Sequence, residues 1–258
     1  MATILLSGCM ASGHPVFTKE IHNNQKVELT AEVHLASKDK IVKAPTVILL
    51  HGCFGPEYPH FQKWIDALNS WGYNAVVINS FTPRGARQVC DRPAMVVTKE
   101  QRSVDAYDTA KWVVKQDWAN EKVGIVGFSH GGGTVLYSAA SSYVERNFGK
   151  QLISAGVAYY PNCDMNFNWD KPAIPVQIHM GEADDWTPPG MCRDMTKNWG
   201  IQDQYFEYSK GTHGFDVWGM HQFSAPDATG KRHWIDYDAN ATELSLQRTK
   251  AFLDKYLK

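Results

Sequence analysis

The sequence predicts an α/β fold: a mostly parallel sheet with helices on both faces. Three observations carry this. Short apolar, β-branched runs alternate along the chain with stretches of helical spacing. One run, Val123-Gly124-Ile125-Val126-Gly127-Phe128, passes directly into Ser129-His130-Gly131-Gly132-Gly133 and then into the Ala/Ser/Leu-rich stretch Thr134 to Val144. Two later strand-like runs end in loops that carry an aspartate and then a histidine, so Ser, acid and His follow in chain order.

Pro15 to His22 and Lys26 to Leu35 read as an opening pair of strands. Thr46 to His51 and Asn74 to Ser80 are short buried strands, and His60 to Trp71 between them has helical spacing. Lys99 to Gln116 is the next helix, with Val104, Tyr107, Ala110 and Val114 as its apolar stripe. After the strand before Ser129 come strands at Ala155 to Tyr160, Pro175 to Met180 and Gln204 to Ser209. Ala241 to Leu257 closes the chain as an amphipathic helix. Residues 15–258 read as a single domain, and 1–14 as a segment apart. In such a sheet, ligands bind beyond the carboxyl ends of the strands. Ser129, Asp184, His213 and Cys53 all fall at such ends.

Gly127-Phe128-Ser129-His130-Gly131 is a nucleophile-elbow pattern. The strand-to-helix turn is so tight that side chains two residues either side of the serine would clash, and glycine removes them. A serine hydroxyl is a weak nucleophile at neutral pH, so an imidazole must take its proton. The imidazole needs a carboxylate behind it. His213, in Lys210-Gly211-Thr212-His213-Gly214-Phe215, is the expected base. Asp184, in Gly181-Glu182-Ala183-Asp184-Asp185-Trp186-Thr187-Pro188, is the expected acid, with Asp185 as its rival. The developing oxyanion needs preorganised N–H donors. Those expected are the backbone N–H of His130 and of Cys53, the latter presented by the His51-Gly52 turn. His51 itself reads as a brace for that loop. His213, His221 and His233 match no metal-ligand spacing, so no metal is expected.

Three residues are tentative substrate contacts. Arg84, in Phe81-Thr82-Pro83-Arg84-Gly85, either clamps a substrate carboxylate or forms a structural ion pair. Trp186 adjoins the acid. Trp218, with Phe223 and Trp234, belongs to a segment, Asp216 to Asn240, that either lines a pocket or packs on the body. The interval from Tyr160 to Pro175 leaves little room for a lid domain.

These motifs resemble the α/β-hydrolase fold and, within it, the dienelactone hydrolase family. The resemblance rests on His51-Gly52-Cys53-Phe54-Gly55, the elbow around Ser129, Gly181 to Pro188 and His213-Gly214-Phe215, across about residues 46 to 215. It implies ester or lactone hydrolysis through an acyl-enzyme, with no cofactor. One departure bears on substrate. The enzyme that names the family uses a cysteine nucleophile, where this chain has Ser129, and a glutamate where this chain has Cys53. The general label of esterase follows, rather than dienelactone itself. An amidase or peptidase of the same chemistry, or a non-catalytic binding protein on this fold, are the alternatives.

The formal net charge of −1 points to neither nucleic acid nor anionic membrane. No stretch reaches the roughly 18 apolar residues of a membrane span. Leu6-Ser7-Gly8-Cys9 resembles a bacterial lipobox, which would anchor the chain by a lipid on Cys9. No basic residue precedes it, so either the true start lies upstream or the match is chance. The remaining cysteines form an even set. Cys53 and Cys90 follow the third and fourth strands, and Cys163 and Cys192 the sixth and seventh. Neighbouring strand ends bring each pair within reach. Cys53–Cys90 and Cys163–Cys192 bridges are expected, with an extracytoplasmic, periplasmic location. The alternative is buried free thiols in a cytoplasmic protein.

Overall fold

The structure, a computed structural model, describes residues 12–19, 26–37, 42–56, 58–91, 97–149, 151–163 and 171–258. Cys9 and its lipobox-like stretch lie outside them, as does the predicted continuation of the first strand to His22.

The described chain runs β1 (Ser12–Lys19), β2 (Lys26–His34), β3 (Ala44–Leu50), α1 (Tyr58–Ser70), β4 (Asn74–Ile78), α2 (Lys99–Val113) and β5 (Ala119–Phe128). It continues with α3 (His130–Ala139), α4 (Ser141–Phe148), β6 (Ala155–Tyr159), β7 (Val176–Gly181), α5 (Gly190–Trp199) and β8 (Tyr205–Tyr208). It closes with β9 (Phe223–Pro226), β10 (Arg232–Ile235) and α6 (Ala239–Leu257). Eight strands form one sheet in the order β1-β2-β4-β3-β5-β6-β7-β8. The β1–β2 and β2–β4 pairs are antiparallel, and every pair from β4 to β8 is parallel. All residues of β4, β6 and β7 are buried, as expected of central strands covered on both faces.

The register aligns the carboxyl ends. Leu50 pairs with Gly127, Phe128 with Tyr159, and Gly181 with Tyr208. The loops that begin at His51, Ser129, Tyr160, Glu182 and Ser209 therefore leave one edge of the sheet side by side. Both expected disulfides form, the first between loops on this edge and the second between the loop after β6 and the first turn of α5. Cys53–Cys90 and Cys163–Cys192 have Cα separations of 5.0 and 5.1 Å. No helix of the described residues is long and apolar enough to cross a membrane.

Two sequence expectations change, and two later features had none. The stretch from Thr134 to Val144 is two helices rather than one. Ala140 turns extended at ψ 118°, and the Ala139 carbonyl accepts from Ala173 N–H at 2.7 Å, so a crossing segment interrupts the helix. On α2, Tyr107 and Ala110 are buried but Val104 and Val114 only half so. The fully buried face also carries Arg102 and Asp105, charges that an apolar pattern does not reveal. Finally, α5 and the β9–β10 hairpin had no sequence forecast.

The elbow depends on backbone contact. A Cβ on Gly127 would lie 2.2 Å from the Gly131 carbonyl oxygen. Gly127→Ala is therefore expected to cost at least about 1–3 kcal/mol. Thermal denaturation checks this, and an unchanged melting temperature would contradict the contact.

Candidate active site

Ser129 leaves β5 at φ 53°, ψ −112°, a left-handed conformation that a side-chain-bearing residue adopts only under strain. Its N–H is held by the Tyr159 carbonyl at 2.9 Å. Gly131, on the first turn of α3, lies so close to β3 that a Cβ there would be 2.0 Å from the Leu50 oxygen. The serine is thus wedged between β3 and β6 with its hydroxyl above the sheet edge.

His213 Nε2 lies 2.9 Å from Ser129 Oγ, and His213 Nδ1 lies 2.9 Å from Asp184 Oδ2. Asp184 is 3 % exposed and His213 4 %. The carboxylate can only accept, so Nδ1–H donates to it and the Nε2 lone pair faces the hydroxyl. Asp184 is held by the Trp186 and Thr187 N–H groups at 2.9 and 2.8 Å and by the Thr187 hydroxyl at 2.8 Å. A second backbone contact sets the loops. A Cβ on Gly181 would be 2.2 Å from the Gly211 oxygen, and Ala183 N–H donates to that oxygen at 2.9 Å. Acid loop and histidine loop therefore touch, which brings together Ser129, Asp184 and His213 from three strand ends.

Asp185 turns away. Its Oδ1 is 3.3 Å from His233 Nδ1, while His233 Nε2 is 3.1 Å from Asp227 Oδ2. His233 stacks on Trp186, with ring centroids 5.0 Å apart, and Trp186 lies tilted against His213 at 5.1 Å.

The loop after β3 turns tightly, with Gly55 N–H on the Gly52 oxygen at 3.2 Å. Cys53 is at its tip, tied by its disulfide to Cys90 and by its carbonyl to Val89 N–H at 2.8 Å. His130 is the first residue of α3, where N–H groups have no intrahelical acceptor. A fully buried guanidinium braces both loops. Arg102 Nη2 donates to the His51 carbonyl and Nη1 to His130 Nδ1, each at 2.7 Å. Burial and the Arg102 charge push both His51 and His130 well below the ordinary histidine range, so both rings are neutral at pH 7. The bracing role read for His51 fits, because its Nδ1–H donates to the Gly52 carbonyl at 2.8 Å.

A small, open-mouthed apolar pocket faces Ser129. Phe54 and Trp186 form one wall, Phe61 and Phe128 another, and Val217, Met220 and Ile235 a third. Trp186 is therefore at the pocket. Trp218 is not: it is 59 % exposed, with the Lys63 ammonium 5.2 Å over its ring. Its neighbours Val217 and Met220 line the pocket instead. Arg84 is also outside. Its two terminal nitrogens grip the Asp105 carboxylate at 2.9 Å, which leaves the structural ion pair as its place. Burial pushes Asp105 up, and the Arg84 hydrogen bonds and charge oppose that. Among the described residues no group of three or more His, Cys, Asp or Glu is arranged to hold a metal.

Residues 31–257 match the dienelactone hydrolase family. The chain belongs to the dienelactone hydrolase family. Ester or lactone hydrolysis is the family's activity, and this chain is a carboxylic ester hydrolase of it. No curated protein matches the chain by sequence. Its fold is similar to that of a dienelactone hydrolase-like promiscuous phosphotriesterase from metagenomic libraries. That match has a TM-score of 0.67 and 17 % identity, covering 96 % of this chain and 100 % of that one. The esterase Est1E of Butyrivibrio proteoclasticus, with ferulic acid bound, matches with a TM-score of 0.61 and 17 % identity over 89 % of this chain and 96 % of that one. A thermophilic esterase of Thermogutta terrifontis with bound propionate gives 0.66 and 14 % over 95 % and 94 %.

Sequence reasoning missed Arg102, His60, Asp216 and His233 in this dienelactone hydrolase relative. None has a motif of its own. Asp216 is the clearest. Buried three residues after His213, it accepts from His60 Nε2 at 2.8 Å, Trp64 Nε1 at 2.9 Å and Tyr160 Oη at 2.8 Å. Burial alone would raise its pKa, but the His60 charge and the three hydrogen bonds outweigh that and hold it below the ordinary aspartate range. A folded-state pKa below the unfolded one contributes stability above the unfolded value, about 3.9, and loses it as pH falls through the folded value. Asp216→Asn is expected to flatten the acid limb of the stability curve. Urea denaturation at a series of pH values checks this, and an unchanged acid slope would contradict it.

Proposed function

We propose that this protein is a serine esterase acting on short-chain carboxylic esters or lactones through an acyl-enzyme at Ser129. The observation that carries the proposal is the hydrogen-bonded line from Ser129 Oγ through His213 to Asp184, with both links at 2.9 Å. His213 takes the Ser129 proton as Oγ attacks the carbonyl carbon, and Asp184 stabilises the imidazolium. The Cys53 and His130 N–H groups receive the oxyanion. The protonated His213 then protonates the leaving alkoxide. Water, deprotonated by the same imidazole, cleaves the acyl-enzyme and restores Ser129. The apolar walls around Phe61, Phe128 and Val217 suit a small acyl chain. The whole unit is read as one α/β-hydrolase domain from residue 15 to 258.

The compartment is read as extracytoplasmic, and specifically the periplasm. Two disulfides support that reading, because such bridges persist in oxidising compartments.

Ser129→Ala should lower hydrolysis of a chromogenic short-chain ester by about a thousandfold or more while the fold persists. Retention of a tenth of the activity would remove Ser129 from the nucleophile role. The two neighbouring aspartates should separate in the same assay. Asp184→Asn is expected to cost about 10³–10⁴-fold in kcat, by leaving His213 in the wrong tautomer. Asp185→Asn touches only a half-exposed ion pair and should stay within about tenfold. Equal losses would overturn the assignment. Compartment is checked by non-reducing peptide mapping of the protein from its native host. Cys53–Cys90 and Cys163–Cys192 peptides are expected, and four free thiols would contradict the periplasmic reading.

A further inference from the structure

The pocket in front of Ser129 is apolar except for a few ring and hydroxyl groups, and nearly all of those are engaged. Ser129 and His213 face each other. The Tyr160 hydroxyl donates to Asp216 Oδ1. Two ring groups remain, the Trp186 indole N–H and His60, and of these His60 is the buried one, lining the pocket at only 5 % exposure. Its ring is oriented by three contacts. Nε2 is on Asp216 Oδ2 at 2.8 Å. The ring packs edge-on against Phe128 at 4.6 Å and against Phe61 at 5.8 Å. Asp216 is itself immobilised by Trp64 and Tyr160.

Because Asp216 can only accept, the proton on Nε2 is assigned and Nδ1 is the remaining nitrogen. No described residue bonds to Nδ1. Nor is it among the enclosed ring nitrogens that lack a partner, which are His130 Nε2 and His233 Nδ1. The small exposure His60 retains is at the pocket, so Nδ1 opens into it. His60 and Ser129 line the same pocket, and Phe128, against which the His60 ring packs, immediately precedes Ser129 in the chain.

We infer that His60 is a specificity-determining residue and that the preferred substrates are esters whose short acyl chain carries a hydroxyl group. The inference rests on Ser129 being the nucleophile. A purely apolar acyl chain would cover Nδ1 and strip it of water without replacing the hydrogen bond, which costs affinity. A hydroxyl restores it. The neutral ring accepts the O–H at Nδ1, and the ring protonated against Asp216 donates Nδ1–H to the hydroxyl oxygen. A carboxylate or an amine would satisfy only one of the two states. A hydroxyl, a donor and an acceptor in one small group, fits both. A site built to bond a hydroxyl discriminates strongly against the analogue that lacks it.

The test compares phenyl β-hydroxybutyrate with phenyl butyrate on the full chain. Wild type should favour the hydroxylated ester by at least about tenfold in kcat/KM. His60→Phe should bring that ratio to about one, mainly by loss on the hydroxylated ester. A residue that only braced Asp216 would lower both esters alike and leave the ratio standing. Trp64→Phe, which removes a different donor from Asp216 without touching the pocket, should keep the wild-type ratio. A measurement that needs no His60 variant reads the ring nitrogens of Ser129→Ala by NMR. The His60 Nδ1 resonance should move on adding phenyl β-hydroxybutyrate and not on adding phenyl butyrate. A wild-type ratio near one, a ratio unchanged in His60→Phe, or an Nδ1 resonance indifferent to the hydroxyl each overturns the inference. Failure of the underlying reading looks different: Ser129→Ala would then hydrolyse phenyl butyrate at the wild-type rate.

Discussion

The site depends on one contact, the approach of the Gly131 backbone to the carbonyls of Leu50 and His51. It brings the first turn of α3 against the end of β3, where no side chain could fit. Three consequences come from it together. Ser129 is forced into a left-handed conformation that raises its hydroxyl. His130 is placed at the start of α3, where its N–H has no intrahelical acceptor. The two loops become close enough for a single guanidinium, Arg102, to hold both. Burying that charge is costly, and its partners are few. Asp105 favours the charge and Arg84 opposes it, while burial pushes the guanidinium down to about 9. What the protein obtains is a fixed geometry behind the expected oxyanion position, with a cation rather than a mobile water as the brace.

The division of labour between neighbours follows the same logic. Asp184 and Asp185 are adjacent, and the turn that satisfies Asp184 with the Trp186 and Thr187 N–H groups also fixes its direction toward His213. Successive side chains in such a turn diverge, so Asp185 faces the hairpin. Asp216 holds a third histidine, His60. Three imidazoles near the pocket are each placed by a carboxylate, but only His213 meets a hydroxyl that can attack.

Much of this was legible in the residues. Every strand of the large sheet was marked in the sequence, the central ones most plainly, because strands buried on both faces read as continuous apolar stretches. Gly127 and Gly131 marked the elbow because the turn excludes a Cβ. The strand order that makes β3 and β4, and β6 and β7, neighbours made the cysteine pairing readable from the residues. Other parts had no local signal. Ala140 breaks a helix because residues 172–173 cross it, and nothing within the helix announces a distant partner. Arg102, on a helix expected to bury only its apolar stripe, is buried because two carbonyl-end loops need a donor between them. Arg84 and Trp218 carried the right chemistry for ligands, but Asp105 claims the first and solvent the second. Whether a charged or aromatic side chain reaches a pocket depends on loop paths, and single-residue patterns do not encode those.

The contact of Trp186 with both His233 and His213 has a mechanical consequence. The β9–β10 hairpin supplies both His233 and Ile235, and a backbone bridge joins Ile235 to His213 itself. This hairpin cannot swing outward like a hinged cover without unstacking Trp186 and pulling on the base. The mouth it borders is therefore shaped before substrate arrives. Binding then carries no closure entropy of this hairpin, and turnover needs no opening step of it to release product. Selectivity must then come from what the rigid walls accept, not from a closure that senses the right molecule.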